Sequence, residues 1–204
     1  DTVIIQKMVG GINHSTLLAI PFFIIAAEIM SSGEIARRLT NFIKACFGHF
    51  TGGLGHTTIG SAMAFGSVSG SAAATVAAIG KLMYPDLKNA GFSERFSLGL
   101  IVSSAETAIL IPPSITLIIY GWMTGTSITA LFAGGLAVGI FLGIAFAILV
   151  MFESHKNKMV SNMKREKGII LDKFLQAKWA LGMPAIILGG IYSGFFTPTE
   201  AAAV

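Results

Sequence analysis

Two neighbouring apolar segments of this chain are each too short to cross a lipid bilayer. Residues 53–68 make 16 positions and residues 72–83 make 12, and they meet at Ser67-Val68-Ser69-Gly70-Ser71. As α-helices they are roughly 24 Å and 18 Å long, against about 30 Å of hydrocarbon. We therefore predict a re-entrant helical hairpin over residues 53–83, which enters the membrane and turns back near its middle. Non-helical backbone at that depth is tolerated only where protein or a water-lined cavity satisfies it, which is typical of a transport pathway.

Composition supports a membrane protein. Hydrophobic residues make up 53% of the 204 residues and charged residues 12%, whereas a soluble domain carries about 25% charged residues. The single cysteine, Cys46, excludes an internal disulfide, and no cysteine and histidine cluster has the spacing of a transition-metal site. The chain begins without Met and stops within an apolar run, which predicts a fragment of a longer permease.

A second interruption lies about 40 residues after the hairpin tip. The apolar stretch 96–123 contains Ile111-Pro112-Pro113-Ser114 near its middle. Proline lacks an N–H and clashes with the preceding turn, so two in a row interrupt a helix. We predict two half-helices with an unwound joint at bilayer depth.

These features predict an all-α integral membrane fold. Its predicted parts are a first span with an amphipathic surface helix (1–52), the hairpin (53–83), the broken helix (84–123), a transmembrane span (124–152), a basic cytoplasmic loop (153–178), and a further span with the start of the next scaffold helix (179–204).

The distribution of basic residues predicts the orientation. With loop 153–178 in the cytoplasm, loops 31–52 and 84–94 fall on the same side, and the opposite connections, 124–130 and 193–199, contain no Lys or Arg. This agrees with the positive-inside rule, with Lys7 as the exception. The net charge of +4 therefore indicates membrane topology and not a nucleic-acid partner.

The tip has the groups that a binding site needs. The half-helix that begins after Ser71 presents N–H donors and a partial positive charge, which suit an anion. The end of the preceding half-helix presents carbonyls, which suit a sodium ion, and the joint near Ser114 adds further carbonyls and a hydroxyl. Glu106 lies just before the joint, where it would bind a cation, pair with another helix, or stay protonated.

Several motifs in chain order resemble the large membrane subunit of tripartite ATP-independent periplasmic (TRAP) transporters. They are Ile20-Pro21-Phe22-Phe23-Ile24, Ser69-Gly70-Ser71-Ala72, Ala78-Ile79-Gly80, Ala90-Gly91-Phe92, Ile111-Pro112-Pro113-Ser114, Tyr120-Gly121 and Thr197-Pro198-Thr199-Glu200-Ala201-Ala202-Ala203.

The resemblance implies an elevator-type secondary transporter made of two inverted repeats, of which this chain covers the first hairpin repeat. It implies a multi-pass protein of the bacterial inner membrane that takes up organic acids, such as dicarboxylates or sialic acid, with sodium as the coupling ion and no other cofactor. Its implied partners are a small four-helix membrane subunit and an extracytoplasmic substrate-binding protein.

The resemblance also implies site residues, carried over by position. The sodium site falls on Ser67, Ser69, Gly70, Ser103, Glu106, Thr107 and Pro112. The expected substrate contacts are Ser69, Ser71 and Ser114.

Three other functions compete with sodium-coupled transport. A proton-coupled anion carrier would use Glu106. An intramembrane serine enzyme would need a base near Ser67 or Ser69, and the sequence offers none, so we predict no enzymatic activity. A channel or a purely structural membrane subunit would show no obligate coupling.

Overall fold

A computed structural model describes residues 6, 15–30, 33–157 and 168–203 of this chain, and within these ranges the regular structure is entirely helical. The helices are α1 (Ala19–Met30), α2 (Gly33–Phe47), α3 (Gly53–Ser69), α4 (Ala72–Asn89), α5 (Glu94–Glu106), α6 (Ile115–Thr124), α7 (Ile128–Lys156), α8 (Ile169–Tyr192) and α9 (Pro198–Ala203). Short 3₁₀ turns cover Ser15–Leu18 and Thr107–Ile109.

Helices α3 and α4 form the hairpin, and only Gly70 and Ser71 lie between them. α4 is longer than the apolar segment 72–83, because it continues through Pro85 to Asn89. Proline removes one N–H donor from this part of the helix, and the partly buried ion pair between Lys44 of α2 and Asp86 (2.6 Å) ties the extension to its neighbour. The polar extension therefore belongs to the hairpin arm and not to a connector.

The apolar stretch 96–123 is interrupted, and the break begins slightly before the two prolines. α5 ends at Glu106, the 3₁₀ turn Thr107–Ile109 follows, and α6 begins at Ile115. Residues 107, 108 and 111–114 are buried. The joint is thus packed inside protein, as unwound backbone in a membrane must be.

The amphipathic helix α2 packs on protein, whereas the sequence predicts a helix on the membrane surface. Leu39 is fully buried beside Phe65 of α3 and Ala177 of α8. Ile43 lies against Gly60 of α3, where an added Cβ would be 2.8 Å away. Phe47, at the end of the same face, stays exposed. The apolar stripe that favours a lipid surface therefore also serves as a packing face.

Two helices of the described chain, α7 and α8, are long and apolar enough to cross a membrane, judged by length and composition. About half of the residues of α7 are exposed, including large apolar side chains such as Phe141 and Phe152. α8 begins ten residues before the apolar span at 179. Phe174 in this polar first part packs against Phe42 of α2, with 5.7 Å between the ring centroids and the ring planes tilted by 57°.

α3 occupies the centre of the fold. Its residues enter two buried clusters, one with α2, α4 and α8 around Phe65 and one with α4, α5 and α7 around Ile59. A third buried cluster is made of residues from α1, α6, α7, α8 and α9.

Thr197 caps α9 through reciprocal hydrogen bonds with Glu200, as in a capping box. Lys7 and residues 158–167 of the basic segment lie outside the described residues.

Candidate functional site

The hairpin turns within two residues because Gly70 adopts a left-handed conformation. Gly70 has φ 59° and donates its N–H to Gly66 O at 2.8 Å, which closes α3. Ser71 is extended and accepts a hydrogen bond from Ala74 N at 3.4 Å, which caps α4. A left-handed turn favours glycine, and an N-terminal serine favours helix initiation. The motif Ser69-Gly70-Ser71 therefore specifies this turn locally.

Ser67, Ser69 and Thr75 are buried at the tip, and their hydroxyls form hydrogen bonds within the hairpin. Ser67 Oγ donates to Ala64 O at 2.8 Å. Ser69 Oγ lies 3.2 Å from Thr75 Oγ1, and Thr75 Oγ1 donates to Ser71 O at 2.8 Å. Thr75 thus joins both sides of the turn, and it is absent from the sequence-based set of site residues. Its position one helical turn after Ser71 is the signal that would have found it.

The tip lies against the joint, and two glycines permit the close approach. A Cβ added to Gly66 would lie 2.5 Å from both Cα and Cβ of Ala108. A Cβ added to Gly70 would lie 3.2 Å from Pro113 O. The two interrupted elements of the chain therefore meet, and Pro112 is buried beside this contact.

The joint presents polar groups without a side-chain cap on α6. Ser114, at the N-cap position, is fully buried but donates its hydroxyl to Ile109 O at 2.6 Å instead of capping the helix. The Ser114 hydroxyl therefore does not satisfy the first N–H groups of α6. Because its proton is committed, Ser114 is poorly suited to donate to a substrate anion.

Helix α5 divides its candidate residues between two faces. Thr107 is fully buried and donates to Ser104 O at 2.6 Å. Ser104 is also fully buried, and its hydroxyl has no hydrogen-bond partner among the described residues. Ser103 is half-buried, and Glu106 is exposed.

Helical geometry places Glu106 about 160° around α5 from Ser104. The structure therefore brings Thr107 and Ser104, but not the Glu106 side chain, to the face that packs on the hairpin. Ser104 was missed because the rotation of α5 about its axis is set by packing that a sequence does not show.

No base lies near the tip serines on α3. His56 is in the first turn of this continuous helix, 13 residues before Ser69, which corresponds to about 20 Å. A serine nucleophile requires a base within hydrogen-bond reach, and His56 is too far along α3 to act as the base for Ser69.

Comparison with known proteins identifies the family of this chain. The family described as tripartite ATP-independent periplasmic transporter, DctM component, matches residues 1–204. An ectoine TRAP transporter large permease protein of Halomonas elongata is 45% identical over 200 residues, 98% of this chain and 47% of that protein. A C4-dicarboxylate TRAP transporter large permease protein of Pseudomonas aeruginosa is 40% identical over 198 residues, 97% of this chain and 46% of that protein.

A sialic acid TRAP transporter large permease protein of Vibrio cholerae is likewise 40% identical over 199 residues, 98% of this chain and 47% of that protein. The chain spans about half the length of the curated relatives it matches. These relatives are named as large permease proteins of transporters, and none of the three is named as an enzyme. The chain belongs to the DctM component family, the large permease subunits of TRAP transporters.

Proposed function

We propose that this chain is the first half of a sodium-coupled permease that carries an organic acid across the bacterial inner membrane. In this proposal the protein is multi-pass, the hairpin is re-entrant, and the unit that contains it moves by an elevator mechanism. The observation that carries the proposal is the contact between two interrupted elements, Gly66 and Gly70 of the hairpin against Ala108 and Pro113 of the joint.

The hydroxyl groups at this contact favour a cation on one side of the turn, because their protons already point to backbone carbonyls. Ser67 and Thr107 donate their protons to helix carbonyls, so their oxygens offer only lone pairs to a ligand. The carbonyls at the end of α3 and in the joint add further oxygen ligands, and sodium sites in transporters are made of such groups. The buried hydroxyl of Ser104 supplies another candidate ligand.

The other side of the turn favours an anion. Ser71 accepts a hydrogen bond from Ala74 N and keeps its own proton for a substrate carboxylate. The N-terminus of α4 adds a partial positive charge in the same place. The two sites share the short turn 69–71, so sodium bound on one side would order the anion site on the other.

Coupling follows from the cost of unpaired charge in a low-dielectric environment. A unit that holds both sodium and a carboxylate presents opposite charges that offset each other, whereas a half-loaded unit presents one unpaired charge. The fully loaded unit would therefore cross the apolar scaffold more readily than the half-loaded unit. This difference between the fully loaded and half-loaded units couples the transport of sodium to the transport of the organic acid.

The substrate class is an organic anion such as a dicarboxylate or sialic acid, in accordance with the names of the relatives from Pseudomonas aeruginosa and Vibrio cholerae. We further propose a small four-helix membrane subunit as a structural partner and an extracytoplasmic binding protein that delivers the substrate. Thermal shifts of that binding protein across a panel of organic acids would identify the substrate.

Uptake by the complete complex in proteoliposomes tests the proposal. We expect an inward sodium gradient to drive accumulation, and Ser69→Val to raise the sodium concentration needed for half-maximal uptake. Equal uptake with and without sodium would refute sodium coupling. Uptake that requires a pH gradient and is lost in Glu106→Gln would support the proton-coupled carrier, although the exposed position of Glu106 favours the sodium mechanism.

A further inference from the structure

A cavity of about 620 Å³ lies between α2 and α4, outside the contact of the tip with the joint. Its lining includes Glu34, Arg37, Phe65, Ala74, Ala77 and Lys81. One end starts at Ala74, whose N–H binds the tip hydroxyl of Ser71. The other end reaches Lys81, seven residues further along α4, or about 10 Å by helical rise. The cavity therefore runs along the hairpin arm from within one turn of the tip to a charged end.

The charged end has an excess of positive charge. Glu34 is paired with Arg38 at 3.0 Å, which neutralises the one acidic side chain in the lining. Arg37 and Lys81 are exposed and form no ion pair within the described ranges. A cleft whose charges are of one sign concentrates ions of the opposite sign, and the guanidinium of an arginine matches a carboxylate well.

We propose that this cavity is an anion-binding vestibule on the cytoplasmic side, in which Arg37 and Lys81 receive the carboxylate of the substrate as it leaves the tip. The proposal rests on the transport function proposed above and on the orientation that places α2 and the end of α4 in the cytoplasm. The small side chains of Ala74 and Ala77 leave room for an organic acid, and Phe65 closes the inner wall.

The positive-inside rule offers a simpler reason for two cations at this location, and position within the cavity separates the two explanations. Lys88 lies two turns beyond Lys81 on α4, and Arg95 is exposed in the first turn of α5. Both are outside the lining, and the partner of Lys88, Glu94, is outside it too. If the charges serve only topology, these four residues are equivalent. If the cavity binds anions, only the charges of Arg37 and Lys81 affect anion binding in the cavity.

The charge of the cavity can be measured without transport. In the complete transporter complex, made cysteine-free and reconstituted in phosphatidylcholine vesicles, Ala77→Cys provides an exposed thiol inside the cavity. The probes are an anionic sulfonatoethyl and a cationic trimethylammonioethyl methanethiosulfonate, and the readout is the ratio of their reaction rates. Ala73→Cys, exposed on the same helix but outside the lining, is the matched control thiol.

We expect Arg37→Gln with Lys81→Gln to lower the anionic-to-cationic rate ratio at residue 77 by about tenfold, the effect of two screened unit charges at about 7 Å in a wet cleft. The matched double variant Lys88→Gln with Arg95→Gln, which also removes two positive charges but leaves the pair of Glu34 with Arg38 intact, should change the ratio less than about twofold. Rates at residue 73 should stay the same in both, which shows that α4 keeps its place. An equal effect of the two double variants would overturn the proposal.

Two further measurements separate this proposal from neighbouring ones. The cavity variant should slow uptake while leaving the sodium concentration for half-maximal rate unchanged, and an unchanged uptake rate would overturn the exit role even where sodium coupling holds. Repeating the labelling in phosphatidylglycerol vesicles tests for a lipid headgroup as occupant. Loss of reaction at residue 77 in that lipid alone would assign the cations to lipid binding and would also overturn the proposal.

Discussion

Replacing Gly66 by alanine tests whether the hairpin tip must touch the joint. The added Cβ would lie 2.5 Å from both Cα and Cβ of Ala108. Carbon atoms pack at about 3.5–4.0 Å, so α3 and the joint must separate by about 1 Å. One of the atoms in the way belongs to the backbone, which a rotamer change cannot move. The substitution must therefore shift an interface that includes the proposed sodium ligands.

The size of the effect follows from the cost of overpacking, which is about 1–3 kcal/mol for an added methyl group in a packed core. If sodium binding needs the native spacing and the free state can relax, that cost falls on the bound state. One factor of ten in affinity corresponds to about 1.4 kcal/mol. We therefore expect the sodium affinity of Gly66→Ala to fall by about 5- to 150-fold.

The assay is sodium-dependent uptake in proteoliposomes together with the melting temperature of the purified complex. Gly99→Ala on α5 is the control, because nothing lies within 4 Å of its added Cβ and alanine favours a helix by about 1 kcal/mol. Ala108→Gly in the Gly66→Ala background removes one of the two clashing atoms and leaves the Cα, so we expect only partial recovery.

Two results would refute this reasoning. If Gly66→Ala keeps the wild-type sodium dependence and melting temperature, the tip and the joint are not in contact during sodium binding. If Gly99→Ala causes the same loss as Gly66→Ala, the effect comes from helix substitution in general and not from the contact.

Two other experiments test interactions of the hairpin, one within it and one with α2. Thr75→Val keeps the side-chain shape but removes the hydrogen bonds to Ser71 O and Ser69 Oγ. We therefore expect a loss of about 1–3 kcal/mol in stability and a weaker sodium dependence of uptake, and recovery of both in Thr75→Ser. Equal behaviour of the Val and Ser variants in thermal unfolding and uptake would contradict this. For the ion pair between Lys44 and Asp86, a double-mutant cycle on thermal stability should give a coupling energy of about 1 kcal/mol. Exchanging the two residues should recover part of the lost stability. A coupling energy of zero would show that this pair does not hold the hairpin arm to α2.

Local signals in the sequence were sufficient to predict the two interruptions. Gly70 requires a left-handed turn, and Pro112-Pro113 cannot continue a helix, so both breaks follow from backbone chemistry within a few residues. The charged extensions of α4 and α8 were not predicted as helix, because hydropathy marks where a segment leaves the membrane and not where its helix ends.

Long-range packing accounts for the parts that the sequence did not reveal. Ser103 and Ser104 are adjacent, and only the burial of Leu100, Ile101 and Ala105 determines which serine faces the hairpin. The amphipathic pattern of α2 identifies an apolar face but not its partner, which here is protein on α3 and α8. The re-entrant depth of the hairpin stays a prediction, since it depends on the position of the bilayer.

Ser69 links the two halves of the proposed site, and this has a consequence for binding. Its hydroxyl lies at the end of α3, near the carbonyls suited to sodium, and contacts Thr75, which in turn holds Ser71 O on the anion side. A sodium ion that takes the Ser69 oxygen would orient its proton toward Thr75 and tighten the turn. By reciprocity, sodium must then raise substrate affinity by the same factor by which substrate raises sodium affinity. Calorimetric titrations in either order measure both factors, and Thr75→Val should reduce them together, because the turn that transmits the effect has lost its central hydrogen bonds.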